Sequence, residues 1–218
     1  LDGMKGTGKK ETSYLFAKSL FCKNRDGVDP CHQCVNCKRI ESRNHPDVHV
    51  VEPDGNSIKK HQIQYLQEEF SKTGLESKKK IYIIDHADKM TTSAANSLLK
   101  FLEEPNQETF AFLLTENIHQ ILNTIISRCQ PLSFQALTSK RLIDMLVEQG
   151  YSPSISTTVA QLTNDMNEAL ELLTDDWFAE ARLLVIKLYE TLQVRPQQAL
   201  LFIHEKWMQH FPDRSQLE

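Results

Sequence analysis

The glycine-rich segment at the start of the chain restricts the fold more than any other feature. Residues 3–9 (GMKGTGK) fit the pattern G-x-x-x-x-G-K. Loops of this kind cradle phosphates with backbone N–H groups at a helix N-terminus, while the lysine reaches the outer phosphates. The next residue should be Ser or Thr, whose hydroxyl holds Mg²⁺, but here it is Lys10. We predict a degenerate nucleotide-binding loop built on Gly3, Gly6, Gly8 and Lys9; a plain glycine turn is the alternative.

Strand-like and helix-like segments alternate through about the first 135 residues. The predicted strands are short and apolar, as buried parallel strands are: Asp47–Glu52, Ile81–Asp85, Phe110–Thr115 and Gln130–Phe134. Four helices are predicted around them, the third capped by Thr91 or Thr92 and ended by Pro105: Lys9–Phe21, Lys59–Lys72, Thr91–Glu104 and Ile118–Ile126. This order favours an α/β fold with a parallel sheet and crossover helices.

From residue 138 onward the sequence contains only helical patterns. The predicted helices are Ser139–Gln149, Ile155–Leu162, Asn164–Leu173, Trp177–Leu192 and Pro196–Phe211. We therefore predict an α/β domain over 1–137, a small helical lid over 138–174 and the start of an all-helical domain over 175–218. The chain enters the glycine loop directly from Leu1, and its last helical pattern stops at Glu218. We expect the natural N-terminus to lie upstream and the last domain to continue downstream.

The second predicted strand ends in an acid, Asp85. Apolar residues followed by an acid at a strand end form the arrangement in which a carboxylate supports Mg²⁺ beside a phosphate-binding loop. A hydrolysing site needs a glutamate next, to polarise the attacking water, and His86 stands there instead. The sequence thus pairs a defective loop with a defective acidic motif.

Four of the five cysteines crowd into sixteen residues, with the spacing C-x8-C-x2-C-x2-C. Cysteines at three-residue intervals can converge on one ion, and a tetrathiolate site closed to water is structural. We predict a zinc knuckle over 22–41, with His32 as a less favoured ligand. An iron–sulfur cluster is the rival interpretation, but its fourth cysteine is missing from the expected place. The predicted zinc ligands are Cys22, Cys31, Cys34 and Cys37.

The net charge of −4 argues against a protein that wraps nucleic acid by bulk electrostatics. No apolar run reaches the roughly 18 to 20 residues that span a bilayer, so we expect a cytoplasmic protein without membrane contact. Basic residues beside the knuckle suit a solvated rim better than a phosphate site.

Three further segments indicate a family. Asn96–Pro105 contains LLKFLEEP, which looks like the LLKxLEEP signature of bacterial clamp-loader subunits, and Ser127-Arg128-Cys129 matches their SRC motif. A cysteine knuckle after the first helix is also similar to theirs. From Gly3 to about Leu173 the chain resembles the delta-prime family of DNA polymerase III clamp-loader subunits, of Gram-positive type. This resemblance implies a P-loop AAA+ domain with a parallel sheet and an inserted zinc knuckle, then a helical lid and the start of a helical collar.

The resemblance assigns roles to particular residues. Arg128 looks like an arginine finger presented to ATP on a neighbouring subunit, where a guanidinium stabilises charge on the γ-phosphate; a helix-end salt bridge is the alternative. Thr115 falls at the sensor 1 position. Asn167 replaces the sensor 2 arginine of the lid motif in Asn164–Leu170. Lys59 and Lys60, near a helix N-terminus, are candidate DNA contacts or simply solvated lysines.

The resemblance therefore implies a non-hydrolysing subunit of a hetero-pentamer with tau/gamma-type ATPase subunits and delta. Such a complex loads the sliding clamp onto primed DNA as part of the DNA polymerase III holoenzyme, a DNA-directed DNA polymerase. ATP would bind the neighbouring subunits, and the sequence leaves open whether a nucleotide still binds residues 3–9. An active ATPase with a rearranged site is the alternative, and a zinc-dependent DNA-binding module is a weaker third interpretation.

Overall fold

The computed structural model describes residues 1–71, 79–103 and 108–208. The chain divides into two compact units, Leu1–Leu137 and Thr138–Glu218. The first contains strands and helices, and the described residues of the second contain helices alone. Within the described parts of both units, none of the helices is long and apolar enough to cross a membrane.

A parallel three-stranded sheet forms the centre of the first unit, in the order β1-β2-β3. The strands are β1 (Val48–Val51), β2 (Lys80–Ile84) and β3 (Thr109–Leu113). All five residues of the central strand are buried, as a strand covered by helices on both faces requires. The prediction of parallel strands in these three places, and with it the α/β fold, is confirmed.

The predicted strand over Gln130–Phe134 is wrong in extent. Within this range the structure has one bridged residue, Ser133, and Asp2 forms parallel bridges to both Ser133 and Thr115. The Asp2 N–H donates to Leu132 O at 2.9 Å, and the Phe134 N–H donates to Asp2 O at 2.7 Å. The glycine loop begins directly after Asp2 and ends the ladder on that side.

Helices cover both faces of the sheet. On one side lie α1 (Lys9–Phe21) and α2 (Val35–Glu41), and on the other α3 (Lys60–Ser71), α4 (Thr92–Glu103) and α5 (Asn123–Ile126). Alternate residues of β2 point to opposite faces. Ile81 and Ile83 therefore join a core cluster with Ala17, Phe21 and Ile40, whereas Tyr82 and Ile84 join one with Ile63, Leu66 and Leu98.

Two helix ends bear on the predictions. The Ala94 N–H donates to Thr91 Oγ1 at 3.3 Å, so the cap predicted at Thr91 or Thr92 is confirmed for Thr91. Helix α4 is described as far as Glu103, and the predicted end at Glu104 and Pro105 lies outside the described residues.

The second unit begins with α6 (Ser139–Glu148), α7 (Pro153–Val159) and α8 (Met166–Thr174). It continues with α9 (Asp176–Val194) and α10 (Pro196–Phe202), which runs into a π-helical turn at Ile203–Trp207. The side chains of Thr138, Asp165 and Asp175 accept backbone N–H groups at the starts of α6, α8 and α9. The predicted extension to Phe211 passes out of the described residues after 208, and the lid boundary at 174 stays a prediction.

Candidate functional site

The glycine loop joins the Asp2 bridge to α1. Gly6 and Gly8 have φ values of 76° and 81°, in the left-handed region that glycine enters without a steric penalty. Gly8 is the N-cap of α1. A Cβ atom on Gly3 would stand 2.5 Å from Phe134 O, so only glycine permits this approach of the two backbones. The loop is therefore built as a turn into a helix N-terminus, which is the geometry of phosphate-binding loops.

Lys9 lies inside this loop and is only 9% exposed. Its ammonium donates to Gly3 O at 2.5 Å and to Met4 O at 2.7 Å, with Thr7 Oγ1 3.4 Å away. The lysine thus points back over the loop, toward the space that the loop backbone surrounds. This is the placement expected of the lysine of such a loop.

Lys10 binds the acid at the end of β2. Its Nζ lies 2.7 Å from Asp85 Oδ2 and 2.7 Å from Glu52 Oε1. The Asp85 side chain is 16% exposed and that of Lys10 is 30% exposed. Burial lowers the pKa of Lys10, but the hydrogen bonds that its ammonium donates to Asp85 and Glu52 outweigh burial and hold that pKa above its ordinary value. The residue in place of the magnesium-binding hydroxyl therefore places a fixed positive charge on the carboxylate that would hold magnesium.

Thr115 follows β3 and is buried. Its hydroxyl donates to Asp88 Oδ1 at 2.9 Å, and the same oxygen accepts the Glu116 N–H at 3.3 Å. Asp88 lies three residues after Asp85, in a short 3₁₀ helix whose N-cap is His86, with φ 52°. The carboxyl edge of the sheet thus brings Asp85, His86, Asp88 and Thr115 together beside the glycine loop.

Arg128 lies just after α5 and is 38% exposed. Its Nη2 is 2.7 Å from Glu103 Oε1 at the end of α4, and its Nη1 donates to Thr124 O at 2.9 Å. The guanidinium is thus held at two points and still reaches solvent. Cys129 next to it packs against the core cluster on the α4 side of the sheet.

The four predicted zinc ligands converge. Their sulfur atoms all lie within 4.8 Å of one another, with Cys22 Sγ 3.5 Å from that of Cys31 and 4.0 Å from that of Cys34. Zinc–sulfur bonds of about 2.3 Å in a tetrahedron give sulfur separations of about 3.8 Å. These cysteines are free thiols, so the donor set and its spacing fit one tetrahedral metal ion.

The knuckle backbone favours thiolates. N–H groups of Cys37 and Lys23 lower the pKa of Cys34 to about 6, and those of Gln33 and Cys34 lower the pKa of Cys31. Burial raises the pKa of Cys37 to about 12, although a coordinating cation deprotonates such a thiol. Asn36 Nδ2 donates to Phe21 O at 2.8 Å, so α2 is tied to the end of α1. The knuckle is therefore anchored on the helix that follows the glycine loop.

The two candidate DNA-contact lysines lie at the start of α3. Lys59 Nζ is 3.0 Å from Asp54 Oδ2, with both side chains at least half exposed. Lys60 is the first residue of the helix and is exposed. Their role as DNA contacts stays a prediction.

Three acidic residues of this region were missed by the sequence analysis: Glu52 on Lys10, Asp88 on Thr115 and Glu103 on Arg128. Asp88 could have been found from its place in Asp85–Asp88, because a turn after a strand keeps such neighbours at one sheet edge. Glu52 and Glu103 meet their partners only through the packing of separate elements, which no sequence spacing reveals.

The parallel sheet, the glycine loop and the acid at the end of β2 define an α/β domain of the P-loop, AAA-like fold class. In agreement, the fold is similar to a solved gamma subunit-related protein of DNA polymerase III from Thermotoga maritima, with a TM-score of 0.54 and 21% identity over 94% of this chain and 64% of that one. Residues 1–138 match the family model described as DNA polymerase III, delta subunit.

Two curated relatives refine this assignment. The Bacillus subtilis (strain 168) DNA polymerase III subunit delta' is 58% identical over 217 residues, which is 100% of this chain and 66% of that protein. The tau subunit of the same strain is 31% identical over 181 residues, 78% of this chain and 31% of that protein. The chain belongs to the delta-prime family of DNA polymerase III subunits. It spans just under two thirds of the length of its delta' relative.

Proposed function

We propose that the chain is a non-hydrolysing clamp-loader subunit that donates Arg128 to ATP on a neighbouring subunit and helps to load the sliding clamp onto primed DNA. One observation carries the first half of this proposal: the Lys10 ammonium lies 2.7 Å from the Asp85 carboxylate. This contact pairs Lys10, which replaces the magnesium-binding hydroxyl, with Asp85, the acid that would support the magnesium ion.

An ammonium at this place excludes magnesium by charge and by space. Mg²⁺ keeps a near-octahedral shell of oxygen ligands at about 2.0–2.1 Å, and a cation hydrogen-bonded to Asp85 occupies part of that shell. Glu52 binds the same ammonium, so the pair is supported from a second side. Without the metal, the charge that develops on a transferred phosphoryl group is not neutralised.

Two further replacements support a site that does not hydrolyse ATP. His86 stands where an ATPase has its water-polarising glutamate, and its left-handed backbone starts the 3₁₀ turn after β2. Asn167 stands in place of the sensor 2 arginine, and its N–H donates to the cap residue Asp165 at 2.8 Å. Metal support, water activation and a phosphate contact are thus each weakened within one chain.

Arg128 is suited to action in trans. Its guanidinium is more than one third exposed, and its anchors at Glu103 and Thr124 leave it at the surface. Arginine presents several N–H donors in a rigid plane, which suits phosphate recognition. The proposed partners are tau/gamma-type ATPase subunits and delta in a hetero-pentamer, supported by the sequence similarity of the chain to gamma, tau and delta' subunits of DNA polymerase III.

The proposal assigns zinc to the four cysteines as a structural ion. Their sulfur atoms fit a tetrahedral site, and the chemistry that zinc supplies there is to hold the knuckle closed rather than to activate water. The basic residues around it are then a solvated rim.

The test uses the reconstituted clamp-loader complex with the full-length subunit. Arg128→Ala should lower turnover about 10³-fold or more at the one site that receives the finger, without a change in assembly. Arg141→Ala is the matched control, because it removes an exposed arginine from α6. Unchanged ATPase activity in R128A would refute the finger. Magnesium-dependent hydrolysis by the full-length chain alone would favour the alternative, an ATPase with a rearranged site.

A further inference from the structure

The ion pair between Glu103 and Arg128 connects two parts of the first unit. Glu103 is the last described residue of α4, and Arg128 follows α5. We propose that Glu103 is a positioning residue, which sets the direction in which Arg128 is offered to a phosphate of the neighbouring subunit. The inference rests on the proposed function and names a residue that acts on the finger without touching ATP.

The contacts fix the plane of the guanidinium. Nη2 lies 2.7 Å from Glu103 Oε1, and Nη1 donates to Thr124 O at 2.9 Å. A planar group held through two different nitrogens cannot turn freely about its long side chain. A guanidinium has five N–H donors, and two of them are used among the described residues, so donors remain for phosphate oxygens.

The two anchors are themselves fixed. Leu98 of α4 and Ile125 of α5 are both fully buried in the same core cluster, and Cys129 packs against that cluster. The Arg128 N–H donates to Ile125 O at 3.0 Å. The distance between the Glu103 and Arg128 backbones is therefore set by the packing of two helices, and this distance limits where the carboxylate can hold the guanidinium.

The ordinary explanation is a surface salt bridge without a function. The two side chains are 38% and 51% exposed, and exposed pairs contribute little to stability. For that reason the loss of Glu103 should leave the fold intact. A positioned catalytic group nevertheless depends on its orientation, since small displacements change rates strongly. Stability and turnover thus distinguish the two explanations.

The experiment compares four full-length variants in the reconstituted complex: E103A, E103Q, R128A and E148A. With clamp and primed DNA saturating, kcat and KM for ATP are measured together with the thermal midpoint of each free subunit. Glu148 is an exposed glutamate at the end of α6, and its loss controls for the change in charge.

We expect R128A to have the lowest kcat, and E103A to have a kcat about two- to five-fold below the wild type with KM unchanged. E103Q should stay near the wild type because its amide oxygen accepts the same hydrogen bond. E148A should match the wild type, and all midpoints should agree.

A wild-type kcat or a raised kcat in E103A, beside a strong loss in R128A, would overturn the positioning role and leave the finger intact. A loss in E103A that follows a lowered thermal midpoint would also overturn it, in favour of a structural role. Unchanged turnover in R128A would instead remove the finger, and the inference with it.

Discussion

Lys10 Nζ lies 2.7 Å from Asp85 Oδ2, across 75 residues of sequence. The contact joins the first turn of α1 to the end of β2, the two places that supply magnesium ligands in an active P-loop site. A second carboxylate, Glu52, binds the same ammonium. The Lys10 ammonium thus gives the Asp85 carboxylate a charged partner at the place where an active site would offer a hydroxyl.

Removal of the ammonium should destabilise the first unit. In Lys10→Met the Asp85 carboxylate, which is 16% exposed, loses its cationic partner. An ion pair that is neither fully exposed nor fully buried contributes about 1–2 kcal/mol to the free energy of unfolding. Urea unfolding of K10M, D85N and the double variant measures the coupling. Lys140→Met, at an exposed lysine of α6, should leave the unfolding midpoint unchanged. Additive effects of K10M and D85N would contradict the pair.

The hydroxyl should restore metal dependence without restoring hydrolysis. Lys10→Thr frees Asp85 and supplies the missing ligand oxygen, so magnesium should strengthen nucleotide binding by about tenfold, a free-energy gain of about 1.4 kcal/mol. Turnover should stay at background because His86 is unchanged. Titration of a fluorescent ATP analogue with and without Mg²⁺ measures this.

The matched control for the restored site is K10T combined with D85N, which keeps the hydroxyl and removes the acid. This double variant should bind nucleotide equally well with and without Mg²⁺. If K10T itself showed no magnesium effect, the ammonium would not be what excludes the metal.

The sequence predicted those features that lie within one segment. The bounds of α1, the cap at Thr91 and the convergence of the four cysteines follow from local spacing, because a helix or a knuckle is closed by residues a few positions apart. The three parallel strands followed from their apolar runs. The strand at Gln130–Phe134 was overpredicted, because an apolar run does not reveal that only Ser133 within it forms a bridge, to Asp2.

The partners of the site residues could not be predicted. Glu103 meets Arg128 only because α4 and α5 pack against one core cluster. Glu52 meets Lys10 because β1 lies beside β2, which brings Glu52 next to Asp85, the other partner of Lys10. These contacts depend on the order of the strands and on the direction of each side chain. The sequence identified which residues differ from an active P-loop site, and the fold shows what Lys10 and Arg128 contact.

The stabilisation from the Lys10 pair should depend on pH in a defined direction. The pKa of Lys10 in the folded protein is raised above its ordinary value of 10.5, so the stabilisation is complete below about pH 10.5 and is lost as pH rises through the folded pKa. The gap in urea midpoint between wild type and K10M should therefore be constant from pH 7 to about 10 and narrow above it. The difference in urea midpoint between K10R and K10M should not narrow at high pH, because arginine stays charged. If the difference in urea midpoint between wild type and K10M narrowed already below pH 9, another titratable group would be responsible for the stabilisation.

Zinc should hold the knuckle and α2 in place. Cys34→Ser removes one of four ligands and should lower the metal content of the full-length chain from one equivalent to well below it, with a lower thermal midpoint. Cys129→Ala is the matched control, since Cys129 lies outside the cluster; it should keep one equivalent even if its loss from the core lowers stability. A chelator should expose α2 to hydrogen exchange while the strands stay protected, because only Cys37 and Ile40 of that helix are buried. Full metal content in C34S, or unchanged exchange after chelation, would show that the cysteines are not a structural metal site.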